Sequence, residues 1–428
     1  MTSSGLPREL VALLYNDLSG LTRGRAFPLE QIDRRRESGV GWVPANQGLT
    51  AFGAIAEPNP WGSVGDLRLV PDVNTEVRVD LWADAPPVHF FLCDATAEDG
   101  SEWDSCARSL LRKALNRLAD IAGASLVVAF EQEFRLSLPT DTTPAPAAFT
   151  YDALRSAEPF PTALVAALAE AGVEVETVLP EYGERQWELS SAPCDGLRAA
   201  DDAVICRELV REVARRIGGR ASFTPIIDPD QPGNGMHIHF SFLDREGERA
   251  GEGIARRFAA GVLAHLDALC AFTAPTGISY LRLKPHRWSA AYAFAGRQNR
   301  EAAIRLVAAG RGGDEHLEFR AADCAASPYL ALAMLVFAGI DGVDRLAPVE
   351  IWDVDPGELS EAERAAKGAV RLPDSLSRAL DAAERDDYLR SCVSRDLFSA
   401  YVSMKRTELS LLDGLDPRES CERYAGVY

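Results

Sequence analysis

The chain has 428 residues, of which 47% are hydrophobic and 25% are charged, and its formal net charge is -19. This length is enough for two domains with a large hydrophobic core. The acidic balance argues against a nucleic-acid or anionic-membrane partner, which would require a basic surface. No apolar stretch approaches the length that spans a bilayer, and residues 1–10 lack the basic and apolar regions of a signal peptide. The eight cysteines include no Cys-x-x-Cys pair. They predict reduced, mostly buried thiols and a cytoplasmic location.

The first hundred residues predict a small domain rich in β-strands. Residues 17–25 are rich in turn-forming residues and predict a hairpin connection. Clusters of proline, glycine and asparagine separate the strand-like segments that follow, at residues 50–55, 66–70, 76–80 and 89–93. Residues 94–104 are polar and acidic, so we place a domain boundary there. The predicted domains are residues 1–104 and 105–428.

The larger domain is predicted to contain both helices and strands. Apolar residues recur at helical spacing in several segments, and we predict helices at residues 105–121, 161–171, 201–218, 254–272, 327–340 and 398–412, the last closing the chain. Strands are predicted at residues 126–138 and 173–178. Residues 280–294 show no clean period and are predicted to form an ordered loop.

A third strand follows two glycines in the segment 233–241. On a strand, His237, His239 and Ser241 point to one face, and the residues between them are apolar and point to the other. Glycine has no side chain to keep a ligand away from the backbone. This segment therefore predicts a strand with one polar face, next to glycines at which a ligand can come close to the backbone.

Acidic residues occur on other strand-like segments. Glu131 and Glu133 share one face of the strand at residues 126–138, Glu181 and Glu188 bracket a short motif, and Glu318 precedes an arginine by two positions. Each alone is most simply an exposed strand carboxylate. Together with a histidine they predict a polynuclear metal site, because Mg²⁺ and Mn²⁺ prefer carboxylate oxygens and tolerate one imidazole.

The motifs stand in a defined order along the chain: Glu-x-Glu, Glu-Tyr-Gly-x-x-Gln-x-Glu, Gly-x-Gly-Met-His-x-His, Asn-Arg-x-Ala-x-x-Arg, Glu-x-Arg and Ser-Pro-Tyr-Leu. This series resembles the glutamine synthetase superfamily over nearly the whole chain. The resemblance implies an α+β fold, with a small N-terminal β-grasp domain and a large catalytic domain whose mainly antiparallel sheet is flanked by helices. It also implies ATP as co-substrate, two or more Mg²⁺ or Mn²⁺ ions per site, and a homo-oligomer such as a double-ring dodecamer with active sites between subunits.

The resemblance also assigns roles to residues at matching positions. One metal ion is expected at Glu133, Glu181 and Glu188, and the other at Glu131, His237 and Glu318. The nucleotide is expected to contact Glu176, His239, Ser241, Arg300 and Arg305. The amino-acid substrate is expected to contact Gly233, Arg282 and Arg320, of which Arg320 lies at the reacting carboxyl. Arg300 and Arg320 are candidate catalytic residues, although on a helix Arg300 and Arg305 would diverge like ordinary surface arginines.

The departures from the family pattern concern the ammonium site. In relatives a flap glutamate helps to capture and deprotonate ammonium, and an ungapped comparison of residues 280–300 puts Trp288 at that position. His286 and Arg287 replace the residues before it. The N-terminal aspartate that also serves ammonium has no counterpart in residues 43–49. The metal and phosphate residues are therefore kept, whereas the ammonium carboxylates are lost.

This combination resembles a γ-glutamyl-amine ligase more than a true glutamine synthetase. It implies an ATP-dependent amide bond between the γ-carboxylate of glutamate and an amine larger than ammonia, formed through a γ-glutamyl phosphate. Trp288 is expected to shield that intermediate and to pack against the amine. His286 is a candidate base for an alkylammonium, because histidine titrates near neutral pH, whereas an arylamine needs no base. Two alternatives stay open: an ammonia-using synthetase with relocated ammonium ligands, and an inactive homologue with a regulatory role.

Overall fold

The structure is a computed structural model that describes residues 9–308 and 315–428. Residues 1–8, most of the segment considered for a signal peptide, lie outside the described part. Two β-sheets organise the chain, a small one near the N-terminus and a large one in the remainder. The predicted α+β class with a small N-terminal β domain is confirmed.

As far as the described residues show, from residue 9 onward, the small sheet contains six strands and is accompanied by the α-helix α1 (Ile32–Ser38). The strands are β1 (Leu10–Asn16), β2 (Thr22–Pro28), β3 (Val40–Trp42), β4 (Leu67–Pro71), β5 (Val77–Val79) and β6 (Val88–Ala97). They follow the order β2-β1-β6-β4-β3, and β5 also pairs with β6. The predicted hairpin is present, because β1 pairs with β2 antiparallel around the turn that joins them. Val11, Leu13 and Tyr15 alternate along β1 and are buried in the core of this sheet.

The large sheet contains eleven strands within the described residues. They are β7 (Ser125–Ser137), β8 (Val175–Pro180), β9 (Gln186–Ser191), β10 (Cys194–Asp195), β11 (Arg220–Ser222), β12 (Met236–Leu243), β13 (Tyr292–Arg297), β14 (Ala302–Val307), β15 (His316–Phe319), β16 (Ile351–Trp352) and β17 (Val370–Arg371). The main order is β16-β13-β14-β15-β12-β7-β9-β8. Neighbours are antiparallel except β13, which is parallel to β14 and to β16. A mainly antiparallel catalytic sheet was predicted and is confirmed.

The helices of the larger part cover this sheet. They are α2 (Ala107–Ala122), α3 (Tyr151–Ser156), α4 (Phe160–Glu170), α5 (Gly196–Arg216), α6 (Glu252–Ala264), α7 (Leu266–Thr273), α8 (Ser279–Arg282), α9 (Pro328–Arg345), α10 (Glu361–Lys367), α11 (Leu376–Arg385), α12 (Asp387–Ser391), α13 (Arg395–Ser410) and α14 (Pro417–Ala425). The most buried is α9, which packs against α2, α5 and α6. Among the described residues no helix is both long and apolar enough to cross a membrane.

Two helix boundaries differ from the prediction. The helix predicted over residues 254–272 breaks at His265 into α6 and α7, and the imidazole of His265 contacts Asp341 and Asp386 through its two nitrogens. Helix α9 passes through Gly342 instead of stopping there. A Cβ at Gly342 would lie 2.0 Å from the carbonyl oxygen of Arg257, so this glycine permits close approach of two helices.

Two further local predictions were wrong. Residues 50–55 form a tight turn, with only an isolated bridge between Leu49 and Ile55, instead of a strand. The chain does not close with the helix predicted at residues 398–412, because α14 follows α13. Asp416 begins α14 with a capping box, in which its side chain accepts backbone hydrogen bonds from the first turn.

Candidate active site

The pairing of neighbouring strands brings the predicted acidic residues to one face of the large sheet. His237 on β12 lies opposite Glu131 on β7, and Glu133 on β7 lies opposite Glu188 on β9. On the other side of β12, Glu318 of β15 lies opposite His239. Residues directly opposite in an antiparallel pair have Cβ atoms about 5 Å apart. The register alone therefore assembles the cluster, and we call Glu131, Glu133, Glu188 and His237 the sheet wall.

Glu131 is the centre of this cluster. Its Oε1 lies 3.0 Å from Nδ1 of His237, and its Oε2 lies 3.0 Å from Nε2 of His239. Glu318 Oε1 lies 3.6 Å from the same nitrogen of His237. The second imidazole nitrogen of His239 faces His316 at 3.0 Å. One carboxylate thus contacts both histidines of the Gly-x-Gly-Met-His-x-His motif.

Two compact groups of donor atoms are suited to a metal ion. One is formed by Glu131, Glu188 and His237, the other by Glu131, His239 and Glu318, and in each group the donor atoms lie within 4.8 Å of one another. Burial and the neighbouring Glu131 raise the pKa of the Glu188 carboxyl. Carboxylate oxygens crowded in this way repel one another, and a hard divalent cation relieves that repulsion. The donor set therefore fits Mg²⁺ or Mn²⁺.

Glu133 and Glu181 lie beside these groups instead of within them. Glu133 Oε2 accepts hydrogen bonds from Nε2 of Gln186 at 3.0 Å and from the backbone N–H of Gly235 at 2.7 Å. Glu181 accepts the backbone N–H of Tyr182 at 2.7 Å, and burial raises the pKa of its carboxyl. The expected division of the six ligands between two ions thus remains a prediction.

Gln186 is a site residue to which the sequence argument gave no role. Its side-chain amide is buried and donates to Glu133, to the carbonyl of Gly233 at 2.9 Å and to Oδ1 of Asn234 at 3.0 Å. It therefore ties a proposed metal ligand to the glycine segment before β12. The available signal was its fixed place in the Glu-Tyr-Gly-x-x-Gln-x-Glu motif.

Two arginines neutralise Glu318. Its carboxylate accepts hydrogen bonds from Nη1 of Arg305, at 2.9 Å, and from Nη1 of Arg320. Burial opposes its ionisation, but the charges of Arg320, His237 and His239 together outweigh burial and lower the Glu318 pKa to about 2. Arg305 reaches this position because it lies on strand β14, opposite Glu318, and not on the helix considered from the sequence. Arg300 precedes that strand.

Arg282 is a buried arginine that lines the same space. Burial lowers the pKa of its guanidinium, and within the described part of the chain its Nη1 has no hydrogen-bond partner. Its Nη2 donates to the carbonyl of Arg320 at 3.3 Å. A Cβ at Gly235 would lie 2.6 Å from this Nη2 and 2.9 Å from Nε2 of His237. Glycine at 235 thus leaves room for both side chains, and the free Nη1 is suited to an anionic group.

The sheet wall and these arginines line a cavity of about 990 Å³. Gly233, Glu181, Arg282, Arg300, Arg305 and Arg320 all border it. The loop of residues 284–291, which we call the loop wall, also borders it and contributes His286 and Trp288. The cavity is thus lined by acidic and basic groups and by an irregular loop.

Aromatic side chains surround the opening of this cavity. Phe149, Tyr182 and Trp288 all border it, and they are 56%, 66% and 61% exposed. The ring centroids of Tyr182 and Trp288 are 6.4 Å apart. Exposed apolar surface concentrated at one place marks a binding site more often than scattered exposed residues do.

Three predicted nucleotide residues do not border this cavity. Glu176 is exposed on the edge strand β8, and Ser241 borders a separate cavity of about 100 Å³. His239 contacts the cluster through Glu131 but is not among the residues that border the large cavity. Their assignment to the nucleotide remains a prediction.

Comparison with known proteins gives the family of this fold and site. The model of the glutamine synthetase catalytic domain matches residues 104–419, and the model of the glutamine synthetase N-terminal domain matches residues 4–103. The chain belongs to the glutamine synthetase family. Members of this family are ligases that use ATP and divalent metal ions.

Three relatives cover nearly the whole chain. Gamma-glutamylpolyamine synthetase GlnA3 of Streptomyces coelicolor is 36% identical over 98% of this chain and 93% of the relative. The glutamine synthetase of Pyrococcus abyssi is 29% identical over 94% of this chain and 90% of its own. A crystal structure described as a novel glutamine synthase homolog has a TM-score of 0.90 and 43% identity, and each chain is fully covered. A gamma-glutamylpolyamine synthetase and a glutamine synthetase are therefore both similar to this chain.

Proposed function

We propose that this chain is a γ-glutamyl-amine ligase, which uses ATP to join the γ-carboxylate of glutamate to an amine larger than ammonia. The observation that carries the proposal is the loop wall. At the opening of the cavity it presents Trp288, where ammonia-using relatives are expected to present a carboxylate. An indole does not bind ammonium as a carboxylate does, but it packs well against an apolar chain.

The sheet wall and the arginines suit the first half-reaction. In that step a γ-carboxylate oxygen of glutamate attacks the terminal phosphorus of ATP, and ADP leaves. Arg300, Arg305 and Arg320 are placed to balance the charge of the transferring phosphoryl group. Divalent ions at Glu131, Glu133, Glu181, Glu188, His237 and Glu318 would add Lewis-acid charge stabilisation.

Arg282 is proposed to hold the α-carboxylate of glutamate. Its Nη1 is buried without a hydrogen-bond partner in the described residues, and a carboxylate would satisfy it. Gly233 lies beside it, since a Cβ there would come within 2.9 Å of Arg282 Cγ. The amino acid would then enter with its side-chain carboxylate directed toward the sheet wall.

The second half-reaction is proposed to occur against the loop wall. The amine nitrogen attacks the acyl carbon of γ-glutamyl phosphate, the carbon–oxygen bond to phosphate breaks, and the amine loses a proton. Trp288 and Tyr182 would exclude water from the acyl phosphate. His286, whose imidazole is 65% exposed and lies 3.8 Å from Asp355, is the proposed acceptor of that proton.

The aromatic opening favours an alkylamine or polyamine. Methylene groups pack on aromatic faces, and a second ammonium group is attracted to the electron-rich face of an indole or phenol ring. The name of the Streptomyces relative, a gamma-glutamylpolyamine synthetase, agrees with this class. An arylamine fits the apolar contacts but lacks the second ammonium group that these rings would attract.

The test is an amine panel with the purified protein. ADP release and amide formation, the latter by mass spectrometry, would be measured with glutamate and ATP and with ammonia, an arylamine, a monoamine, a diamine or a polyamine. We expect kcat/KM for the best alkylamine to exceed that for ammonia by at least about 100-fold, since a pocket that fits one substrate discriminates on this scale. Equal use of ammonia would support the plain synthetase, and no ADP release with any amine would support the inactive homologue.

We also propose that residues 1–104 and 105–428 are the two domains and that the protein forms a homo-oligomer, possessing active sites shared between subunits. Light scattering after size-exclusion chromatography measures the mass of the assembly. A monomer that is fully active at assay concentration would contradict shared sites.

A further inference from the structure

The loop wall has an unusual backbone. His286, Trp288 and Ala290 have φ angles of +59°, +53° and +63°, and none of them is glycine. The left-handed region is unfavourable for residues with a side chain, so three such residues at alternate positions need support from their surroundings. What supports them also fixes the direction in which the Trp288 side chain points.

Two of these three residues are supported by one buried carboxylate. Oε2 of Glu301 accepts the backbone N–H of His286 at 3.0 Å, and Oε1 accepts the backbone N–H of Trp288 at 3.0 Å. Glu301 is only 7% exposed and does not border the large cavity. Both of its oxygens are thus engaged by the two strained residues that carry the side chains of the loop wall.

The position of Glu301 also connects the loop wall to the arginines. Glu301 directly follows Arg300, whose carbonyl accepts Nε of Arg320 at 3.1 Å. Nη2 of Arg320 in turn donates to the carbonyl of Trp288 at 2.9 Å. Trp288 is therefore held at its N–H by Glu301 and at its carbonyl by Arg320. Arg320 keeps two other partners, Glu318 and the Arg300 carbonyl, if the loop moves.

We propose that Glu301 is a positioning residue for the amine, one that holds Trp288 and His286 at the border of the cavity and thereby sets amine selectivity. This inference rests on the proposed function, because it takes the loop wall as the amine side of the site. Glu301 does not touch the substrate. Its carboxylate acts through the backbone of two residues that do.

Kinetics of Glu301→Gln are the first test. A glutamine side chain has one acceptor oxygen, so it can hold only one of the two N–H groups and turns its own N–H₂ toward the other. We expect the KM for the amine to rise about 10-fold, as for the loss of other positioning partners. The KM values for ATP and glutamate should change by less than about 2-fold. A fall in kcat at unchanged amine KM would overturn the proposal and indicate that Glu301 acts in the chemistry.

A matched control is available in Asp244→Asn. Asp244 Oδ1 accepts the N–H groups of Glu246 and Glu248 at 3.0 and 2.9 Å, in an exposed turn after β12 that does not border the cavity. This variant likewise removes a carboxylate charge beside two amides two residues apart, but the single asparagine oxygen can still accept both N–H groups. An amine KM raised equally by both variants would overturn the proposal, since general destabilisation would then explain the effect.

A double-mutant cycle tests whether Glu301 acts through Trp288. If it does, adding Glu301→Gln to Trp288→Ala should leave the amine KM of the single Trp288→Ala variant unchanged within about 2-fold. If the two substitutions raise the amine KM independently, so that their effects multiply, Glu301 does not act through Trp288 and the proposal is overturned.

Amide hydrogen exchange separates failure of this inference from failure of the proposed function. In Glu301→Gln without substrates, the peptide covering residues 284–291 should exchange faster than in the unaltered protein, whereas Asp244→Asn should not change it. If exchange is faster but the enzyme forms no amide, the positioning role of Glu301 is supported and the proposed function is rejected. If exchange and the amine KM are both unchanged in an active amine ligase, only the positioning role of Glu301 is rejected.

Discussion

The sheet wall and the loop wall face the same cavity but are held in place differently. Strand register fixes the sheet wall, where Glu131 and His237 lie opposite each other on adjacent strands. The loop wall has no strand partner at Trp288 and depends on Glu301 and Arg320 for its shape. A rigid wall suits a chemical step that all family members share. A loop held by single contacts can vary, and so change which substrate is accepted, without disturbing that step.

The largest loss is expected from the sheet wall. Glu133→Ala and Glu188→Ala should each reduce activity by roughly 1000-fold or more. Replacing even a residue that only hydrogen-bonds to a metal ligand commonly lowers metal affinity or activity by roughly 10–100-fold. Activity is also expected to require Mg²⁺ or Mn²⁺ and to vanish with a chelator. ADP release would be measured after circular dichroism shows correct folding.

Glu174→Ala is the control for these two variants, because Glu174 is an exposed glutamate just before β8. It should behave like the unaltered enzyme. If either sheet-wall variant retains near-normal turnover, the metal assignment is wrong, and the cluster has only a structural role.

Arg320 joins the two walls, and its replacement should be second in effect. Arg320→Lys keeps the charge but cannot contact Glu318, the Arg300 carbonyl and the Trp288 carbonyl together. We expect kcat/KM to fall about 100-fold, as when one charge-stabilising donor is removed. Arg378→Lys, at an exposed ion pair with Asp374, is the control. Unchanged kinetics in Arg320→Lys would mean that Arg320 is only a structural ion-pair residue.

A change confined to the loop wall should alter selectivity more than chemistry. Trp288→Glu is expected to raise the KM for a bulky amine about 10-fold by removing an apolar contact, and to increase the relative use of ammonia. Tyr151→Glu places the same charge at an aromatic residue that is 74% exposed and does not border the cavity. Equal loss of activity with ammonia and with bulky amines would contradict the assignment of amine selectivity to the loop wall and of chemistry to the sheet wall.

The smallest effect on turnover is expected from Gly235→Ala, which crowds Arg282 and His237 but removes neither side chain. Gly235→Ala would place a Cβ 2.6 Å from Nη2 of Arg282, forcing this buried side chain to shift. We expect a several-fold higher KM for glutamate and a loss of about 1–3 kcal/mol in stability from overpacking. The control is Gly253→Ala in α6, where a Cβ meets no atom within 4 Å. Chemical denaturation should show that Gly253→Ala leaves the free energy of unfolding unchanged or raises it, since alanine favours a helix. An identical result for both variants would mean that the crowding of Arg282 does not cause the effect of Gly235→Ala.

Much of the sheet wall could be predicted from the sequence. Alternation along residues 126–138 and 237–241 assigned Glu131, Glu133 and His237 to polar strand faces, because the side-chain period of a strand is two. The order of motifs gave the family, and with it the fold class, and both are confirmed. Several helices were found within a few residues, since an amphipathic period is a local property of the chain.

Other features depend on contacts between distant segments. The neutralisation of Glu318 by Arg305 and Arg320 requires the β14-β15 register, and the helix considered for Arg305 would not have given it. The passage of α9 through Gly342 depends on its close approach to α6. Neither the partner strand nor the crossing helix is visible in a local pattern, because both are set by the packing of the whole domain.

By itself, the sequence determined which chemical groups this protein carries, in what order, and on which face of each strand they lie. Only the tertiary structure decided which groups meet: Glu131 between two histidines, Gln186 against Glu133, and Glu301 beneath Trp288. The physical reason is that hydrophobic periodicity and residue composition are local properties of the chain. Strand order, and the left-handed backbone of the loop wall, are instead stabilised by hydrogen bonds from residues that are distant in the chain or across a turn.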